Sequence, residues 1–172
     1  RGRTGARGGL QKAPRPAART SSPRQQEPLG LGHAVWCARE LVGKQPFALL
    51  LPDMIFRARP GVLKQMMQTY EETGGNIIGV EEVDPKDTAS YGIVARGDGP
   101  DSGFRITGMV EKPKPADAPS NLFISGRYIL QPEIFTLLAE QPRGKGGEIQ
   151  LTDAMQTLIR QQAFTGVKYE GK

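Results

Sequence analysis

The chain has 172 residues, enough for one domain with a sizeable core, and its net charge of +5 at first suggests a nucleic-acid partner. The charge is uneven, because residues 1–25 hold six Arg, one Lys and no acid, whereas the rest holds 16 basic and 18 acidic residues. The single cysteine excludes an intramolecular disulfide or multi-cysteine zinc site, and the sequence shows no membrane span or signal peptide. We therefore expect a cytoplasmic protein without a nucleic-acid or membrane partner.

Residues 1–23 mix Arg, Gly, Ala, Pro and Ser without periodicity. Such a composition buries too little surface to offset the entropy lost on ordering, so we predict a disordered basic leader over 1–23 and a folded domain over 24–172. A basic arm can contact phosphates, which leaves nucleic-acid binding as an alternative. The leader lacks aromatic residues that would stack on bases.

Helical and strand-like patterns alternate through the folded part. The unbroken apolar run at 47–51 predicts a strand buried on both faces. The element order predicts an α/β fold with a mixed, mostly parallel sheet and helices on both faces. In chain order we predict a helix over 33–42, strand 47–51, a helix from 62 that ends at 74–75, strands 76–83, 91–95, 104–110 and 122–130, helices 132–139 and 148–161, and strand 164–169.

Asp53 directly follows the apolar run, in the sequence Leu-Pro-Asp. Open α/β sheets bind ligands beyond the carboxyl ends of their strands, so Asp53 is a candidate for a metal or phosphate site. The alternative is that Asp53 only shapes a turn after the proline.

Glu111 and Lys112 end a predicted strand and precede Pro113. In a continuing strand their side chains would point to opposite faces, but the proline breaks the strand, so both can turn into one cleft. An exposed Glu-Lys pair with no function is the alternative.

Upstream, we expect His33 to be a polar first-turn helix residue rather than a general base, and Cys37 to pack in the core rather than act as a nucleophile.

Six segments in this order resemble the bacterial UTP–glucose-1-phosphate uridylyltransferases. They are LGLGHAV, LLLPD, SYGIV, MVEKP, SNLFISGRY and GGEIQLTDA, and the resemblance runs from about residue 24 to residue 172. It implies a Rossmann-like nucleotidyltransferase core and Mg²⁺-dependent transfer of the uridylyl group from UTP to glucose 1-phosphate. The products would be UDP-glucose and pyrophosphate, and the full-length form would be a homo-oligomer.

The resemblance also implies roles for single residues in nucleotide and metal binding. Gln25 matches a hydrogen-bonding partner of the uracil edge, and Gly30 matches a close backbone contact to the same base. Asp53 matches the principal Mg²⁺ ligand and a catalytic position. Asp153 matches a second acid of related nucleotidyltransferases and could join Asp53 on the ion.

For the sugar phosphate, Gly92 matches a backbone contact to the hexose and Glu111 matches the carboxylate that accepts from sugar hydroxyls. Lys112 matches the catalytic lysine on the sugar phosphate. The pocket wall matches Ile124, Gly126 and Tyr128.

Two features of the family have no counterpart in the sequence. Family members open with a strand and a glycine-rich loop of the type GxGTRxxPxTK, which nothing in residues 1–23 resembles, and they continue past the position of residue 172. We therefore expect a core that is incomplete at both ends, and we expect this part of the enzyme to be impaired in catalysis by itself. A catalytically inactive sugar-nucleotide-binding module and a related transferase that uses dTTP remain alternatives.

Overall fold

The structure, a computed structural model, describes residues 21–171, with the side chain of residue 145 excepted. The predicted leader at 1–23 lies almost wholly outside the described residues. The strands are β1 (Phe47–Leu50), β2 (Asn76–Glu82), β3 (Gly92–Arg96), β4 (Phe104–Glu111), β5 (Leu122–Leu130) and β6 (Phe164–Lys168). The α-helices are α1 (Leu31–Cys37), α2 (Arg39–Val42), α3 (Val62–Thr73), α4 (Ile134–Glu140) and α5 (Leu151–Leu158).

The six strands form one mixed sheet in the order β1-β5-β2-β6-β4-β3. The predicted α/β class and mixed sheet are confirmed, but the expectation of a mostly parallel sheet is wrong. Among the described strands β2–β6 is the one parallel pair, while β5 runs antiparallel to both β1 and β2, and β4 runs antiparallel to β3 and β6. The apolar runs predicted where strands occur, but they contain no information on strand direction.

β1 differs from its prediction in burial. It pairs only with β5 among the described strands and lies at the sheet edge, where its residues alternate between half-buried and exposed. Leu50 is 47% exposed. The expectation that this strand is buried on both faces is therefore wrong, because an unbroken apolar run does not reveal which neighbours a strand acquires.

Helices cover both faces of the sheet, as predicted. On one face α1, α4 and α5 pack together around Leu138, Leu151 and Met155. On the other face α3 places Val62 and Met66, four residues apart and on one side of the helix, against the sheet. Gly74, with φ of 63°, ends α3 in a conformation that glycine adopts readily.

The predicted helix over 33–42 is two short helices. α1 begins earlier, at Leu31, and a turn at Ala38 separates it from α2. His33 lies in the first turn of α1, as expected, whereas Cys37 is half-buried rather than in the core, with its Sγ 3.9 Å from both His33 ring nitrogens. Over residues 21–171 the helices are all too short or too polar to cross a membrane.

Candidate active site

A cleft of about 300 Å³ opens where β1, β3, β4 and β5 meet the start of α5. Its lining includes seven of the predicted site residues, which come from four separate stretches of the chain: Asp53, Gly92, Glu111, Lys112, Ile124, Gly126 and Tyr128. The sheet topology brings them together, because β5 lies beside β1 and its first residues also contact β3.

Asp53 lies in a turn just beyond β1 and its side chain is exposed at the cleft. Leu51, the residue that follows β1, donates its N–H to the Gly126 carbonyl at 2.9 Å. Gly126 has φ of +70°, and a Cβ there would meet the Leu51 side chain at 3.1 Å. Glycine at 126 therefore lets β5 bend and lets the Asp53 turn approach it closely.

Glu111 and Lys112 both line the cleft, as their position before Pro113 predicted. Lys112 has φ of 47°, in the left-handed region that side chains rarely adopt, and its N–H donates to the Tyr91 carbonyl at 3.0 Å. This sharp turn, rather than the pleat of a strand, directs the two side chains to the same side. Lys112 Nζ lies 3.6 Å from Glu111 Oε1.

Thr152, at the start of α5, fixes the other oxygen of this carboxylate. Its Oγ1 donates to Glu111 Oε2 at 2.6 Å, and the Glu111 side chain is only 11% exposed. Gly92 lies opposite Glu111 in the β3–β4 register, and a Cβ at Gly92 would come 3.0 Å from Thr152 Oγ1 and 3.2 Å from Glu111 Oε2. A larger residue at 92 would therefore displace the carboxylate.

Tyr128 forms a buried wall of the cleft, 5% exposed. Burial raises the pKa of its phenol well above the usual range, and the negative charges of Glu111 and Asp53 raise it further. Tyr128 therefore stays neutral at physiological pH, and its phenol feels the charge of two carboxylates, one at the end of β4 and one in the turn after β1.

Gln25 and Gly30, the predicted uracil contacts, lie in the segment before α1, which runs beside the segment before α5. Gln25 Nε2 donates to the Gly30 carbonyl at 3.1 Å and lies 2.9 Å from His33 Nδ1. A Cβ at Gly30 would come 2.7 Å from Glu148 Cβ, so internal packing by itself requires glycine there. The lining of the cleft includes neither Gln25 nor Gly30, so their contact with a base stays a prediction.

Asp153, the predicted second metal ligand, lies in the first turn of α5 but is not among the residues that line the cleft. A Cβ at Gly144 would come 2.5 Å from Asp153 Oδ2, so the loop before α5 runs directly past this carboxylate. Burial, followed by the negative charge of Glu111, raises the pKa of Asp153. The structure therefore does not bring Asp153 into the cleft with Asp53, and its metal role stays a prediction.

Three residues just before or at the start of α5 were not predicted to take part in the site. Glu148, Gln150 and Thr152 line the cleft, and Gln150 Nε2 donates to Glu148 Oε2 at 3.0 Å. All three lie in the GGEIQLTDA segment, in which Asp153 was the one residue predicted to belong to the site. The contact of Thr152 with Glu111 reaches across the fold, so helical spacing gave no signal for it.

The donor set suits a hard cation that is shared with a substrate. Asp53 presents exposed carboxylate oxygens to the cleft, and such oxygens are the preferred ligands of Mg²⁺ and Ca²⁺. Across residues 21–171 no three His, Cys, Asp or Glu side chains cluster closely enough to hold an ion by themselves. Mg²⁺ is commonly bound through one or two carboxylates plus substrate phosphates, and the residues present fit that pattern.

A larger groove of about 970 Å³ lies between α3 and the end of β6, and none of the predicted site residues line it. The smaller cleft is the better candidate, because it combines an apolar wall with convergent charged groups, as small-molecule sites usually do.

The nucleotidyl transferase family matches residues 10–170, and the chain belongs to that family. Among its relatives, the UTP–glucose-1-phosphate uridylyltransferase of Bacillus subtilis (strain 168) is 50% identical over 149 residues, which cover 87% of this chain and 51% of the relative. The corresponding enzyme of Komagataeibacter xylinus is 46% identical, over 83% of this chain and 50% of its own length. The chain thus spans about half the length of the curated relatives it matches.

A solved structure of UDP-glucose pyrophosphorylase complexed with UDP-glucose has a similar fold. It superposes with a TM-score of 0.84 at 40% identity, covering 87% of this chain and 57% of that one. The agreement confirms the predicted resemblance and the Rossmann-like nucleotidyltransferase core.

Proposed function

We propose that this chain carries the sugar-phosphate and metal part of the active site of a UTP–glucose-1-phosphate uridylyltransferase. In the reaction, a phosphate oxygen of glucose 1-phosphate attacks the α-phosphorus of UTP. A new P–O bond forms, the bond between the α-phosphorus and the oxygen bridging to the β-phosphorus breaks, and pyrophosphate leaves. UDP-glucose is the other product.

One arrangement carries this assignment: the Glu111 carboxylate lies in the cleft between Thr152 and Lys112 and beside Gly92. A fixed, mostly buried carboxylate is a strong acceptor for sugar hydroxyls, and an adjacent ammonium suits the phosphate of the same molecule. We assign the hydroxyls to Glu111 and the phosphate to Lys112. Gly92 would leave room for the hexose, with Ile124, Gly126 and Tyr128 as the pocket wall.

Asp53 is our candidate for the metal-binding carboxylate. When bound, Mg²⁺ would neutralise charge on the phosphate oxygens during transfer. Asp53 is suited to hold it because its side chain is exposed at the cleft and lies on a turn attached to the sheet. Phosphoryl and nucleotidyl transfers need mainly alignment and charge stabilisation, so neither a nucleophilic side chain nor a strongly shifted base is required here.

A sugar-nucleotide-binding module without catalysis is the second candidate, because the sugar-facing groups would serve binding equally well. An assay of the protein as it is expressed from its own gene distinguishes the two candidate functions. UDP-glucose formation from UTP and glucose 1-phosphate, dependent on Mg²⁺ and lost in Glu111→Gln, would support the transferase. Binding of UDP-glucose with no product formed would support the module.

Substrate choice is tested in the same assay with dTTP in place of UTP. We expect UTP to be preferred, in keeping with relatives named for UTP. Equal or faster turnover with dTTP would contradict the uridylyl assignment. Absence of both UDP-glucose binding and product formation would contradict both candidate functions.

A further inference from the structure

Arg127 is a residue of β5 whose guanidinium leaves the strand and reaches the turn that carries Asp53. Its Nη1 donates to the Leu51 carbonyl at 2.8 Å and to the Gly126 carbonyl at 3.0 Å, and its Nη2 donates to the Met54 carbonyl. Leu51 and Met54 are the residues on either side of the Pro52-Asp53 pair. One side chain therefore holds both ends of the turn.

Residues 52 and 53 form a turn between the two carbonyls that Arg127 binds. The guanidinium binds both carbonyls from one planar group, with a geometry that a lysine ammonium does not reproduce. Charge-assisted hydrogen bonds of this kind are stronger than those of neutral donors.

Arg127 is itself held in place. Its guanidinium carbon lies 4.9 Å from the centre of the Phe56 ring, and Phe56 packs edge-on against Tyr169 with ring centres 5.1 Å apart. Tyr169 belongs to the apolar cluster between α3 and the sheet. The chain of contacts thus runs from a packed core, through Arg127, to a turn at the rim of the cleft.

We propose that Arg127 is a positioning residue: it clamps the Leu51–Met54 turn and so fixes the place from which Asp53 presents its carboxylate to a metal. The inference deepens the proposed function and rests on Asp53 being the metal-binding carboxylate. Residues that orient a metal ligand affect metal affinity without touching the ion.

The test compares Arg127→Met, which removes the charge, with Arg127→Lys, which keeps it but cannot bridge both carbonyls. Arg39→Met is the matched control, because Arg39 also stacks on an aromatic ring, 3.7 Å above Trp36, and donates to a carbonyl at 3.3 Å, but lies away from the cleft. All variants are first compared with the parent by circular dichroism and thermal unfolding. If Arg127→Met does not fold, Arg127→Lys decides the outcome.

The first readout is exchange of the Leu51 amide proton, followed by NMR. We expect exchange to accelerate at least about tenfold in Arg127→Met, which corresponds to about 1.4 kcal/mol, and less in Arg127→Lys. Amides of β2 and β6, and the Leu51 amide in Arg39→Met, should exchange as in the parent. Unchanged Leu51 exchange in both Arg127 variants would overturn the clamp.

The second readout is binding of Mn²⁺, a paramagnetic substitute for Mg²⁺, measured by water-proton relaxation with UDP-glucose present. We expect Arg127→Met to weaken Mn²⁺ binding by about 10- to 100-fold, the usual effect of losing an orienting residue, with metal-free UDP-glucose affinity unchanged. Equal losses of both affinities, or parent-like Mn²⁺ binding, would overturn the positioning role. Parent-like Mn²⁺ binding in Asp53→Asn would instead refute the assignment of Asp53 as the metal ligand in the proposed function. The amide-exchange result would still test whether Arg127 holds the Leu51–Met54 turn.

Discussion

Replacing Thr152 with valine tests the sugar-binding carboxylate most sharply, because the two side chains have nearly the same shape and only the hydroxyl is lost. That hydroxyl donates to Glu111 Oε2 at 2.6 Å, and both residues are largely shielded from solvent. A hydrogen bond to a charged group contributes about 1.5–3 kcal/mol. Not all of this energy is expected to appear in ligand affinity, because Lys112 remains 3.6 Å from the other oxygen and keeps the carboxylate near the cleft.

We expect the free energy of UDP-glucose binding to weaken by about 1 kcal/mol, or roughly fivefold in dissociation constant, with the rest lost from folding stability. The assay is an NMR titration of the labelled protein that follows the Gly92 amide, next to Glu111 across the β3–β4 pair. Thr152→Ser is the control, since it keeps the donor and should bind as the parent does. Parent-like affinity in Thr152→Val would refute the idea that this hydrogen bond prepares Glu111 for the sugar.

Three further substitutions test the metal, phosphate and surface interactions. Asp53→Asn should keep the fold and lose most metal-dependent turnover, because a neutral amide is a poor Mg²⁺ ligand; parent turnover at saturating Mg²⁺ would show the assignment to be wrong. Lys112→Ala should weaken glucose 1-phosphate binding by about 1.5–3 kcal/mol and leave UTP nearly unaffected, with the exposed Lys114→Ala as control, whereas equal losses for both substrates would indicate a folding defect. The hydrogen bond from Arg96 lowers the pKa of Asp101 in the folded protein. The ion pair therefore stabilises the fold above the unfolded-state pKa of Asp101, and this stabilisation is lost as the pH falls through the lower folded-state pKa. In a plot of melting temperature against pH, Asp101→Asn should therefore reduce the fall in melting temperature at acid pH. An unchanged fall would exclude the Arg96–Asp101 ion pair as a cause of that fall.

The sequence predicted the strand positions well where apolar runs were bounded by turn residues. The strand predicted over 122–130 matches β5, and the strand predicted from residue 104 begins where β4 does. Direction and register were a different matter. A register shift between Ala95 and Arg96 sets which residue of β4 faces Gly92, and no residue pattern in the loop indicates it.

The convergence of Glu111 and Lys112 was predictable, because Pro113 is a local signal that the strand must stop. The contribution of Thr152 was not, since it depends on how α5 meets the end of β4. The burial of β1 was misread for a related reason: apolar residues fit an edge strand as well as a central one. Local chemistry is thus readable from sequence, whereas contacts between distant elements depend on the assembled fold.

The central claim is that the hexose phosphate occupies the cleft between Asp53 and Glu111. A crystal structure of the protein with UDP-glucose and Mg²⁺ tests this claim most directly. The account predicts hexose hydroxyls within hydrogen-bond distance of the Glu111 carboxylate, the sugar phosphate beside Lys112, and the ion on Asp53. A sugar nucleotide bound elsewhere, for example in the groove between α3 and β6, with the cleft empty, would contradict it.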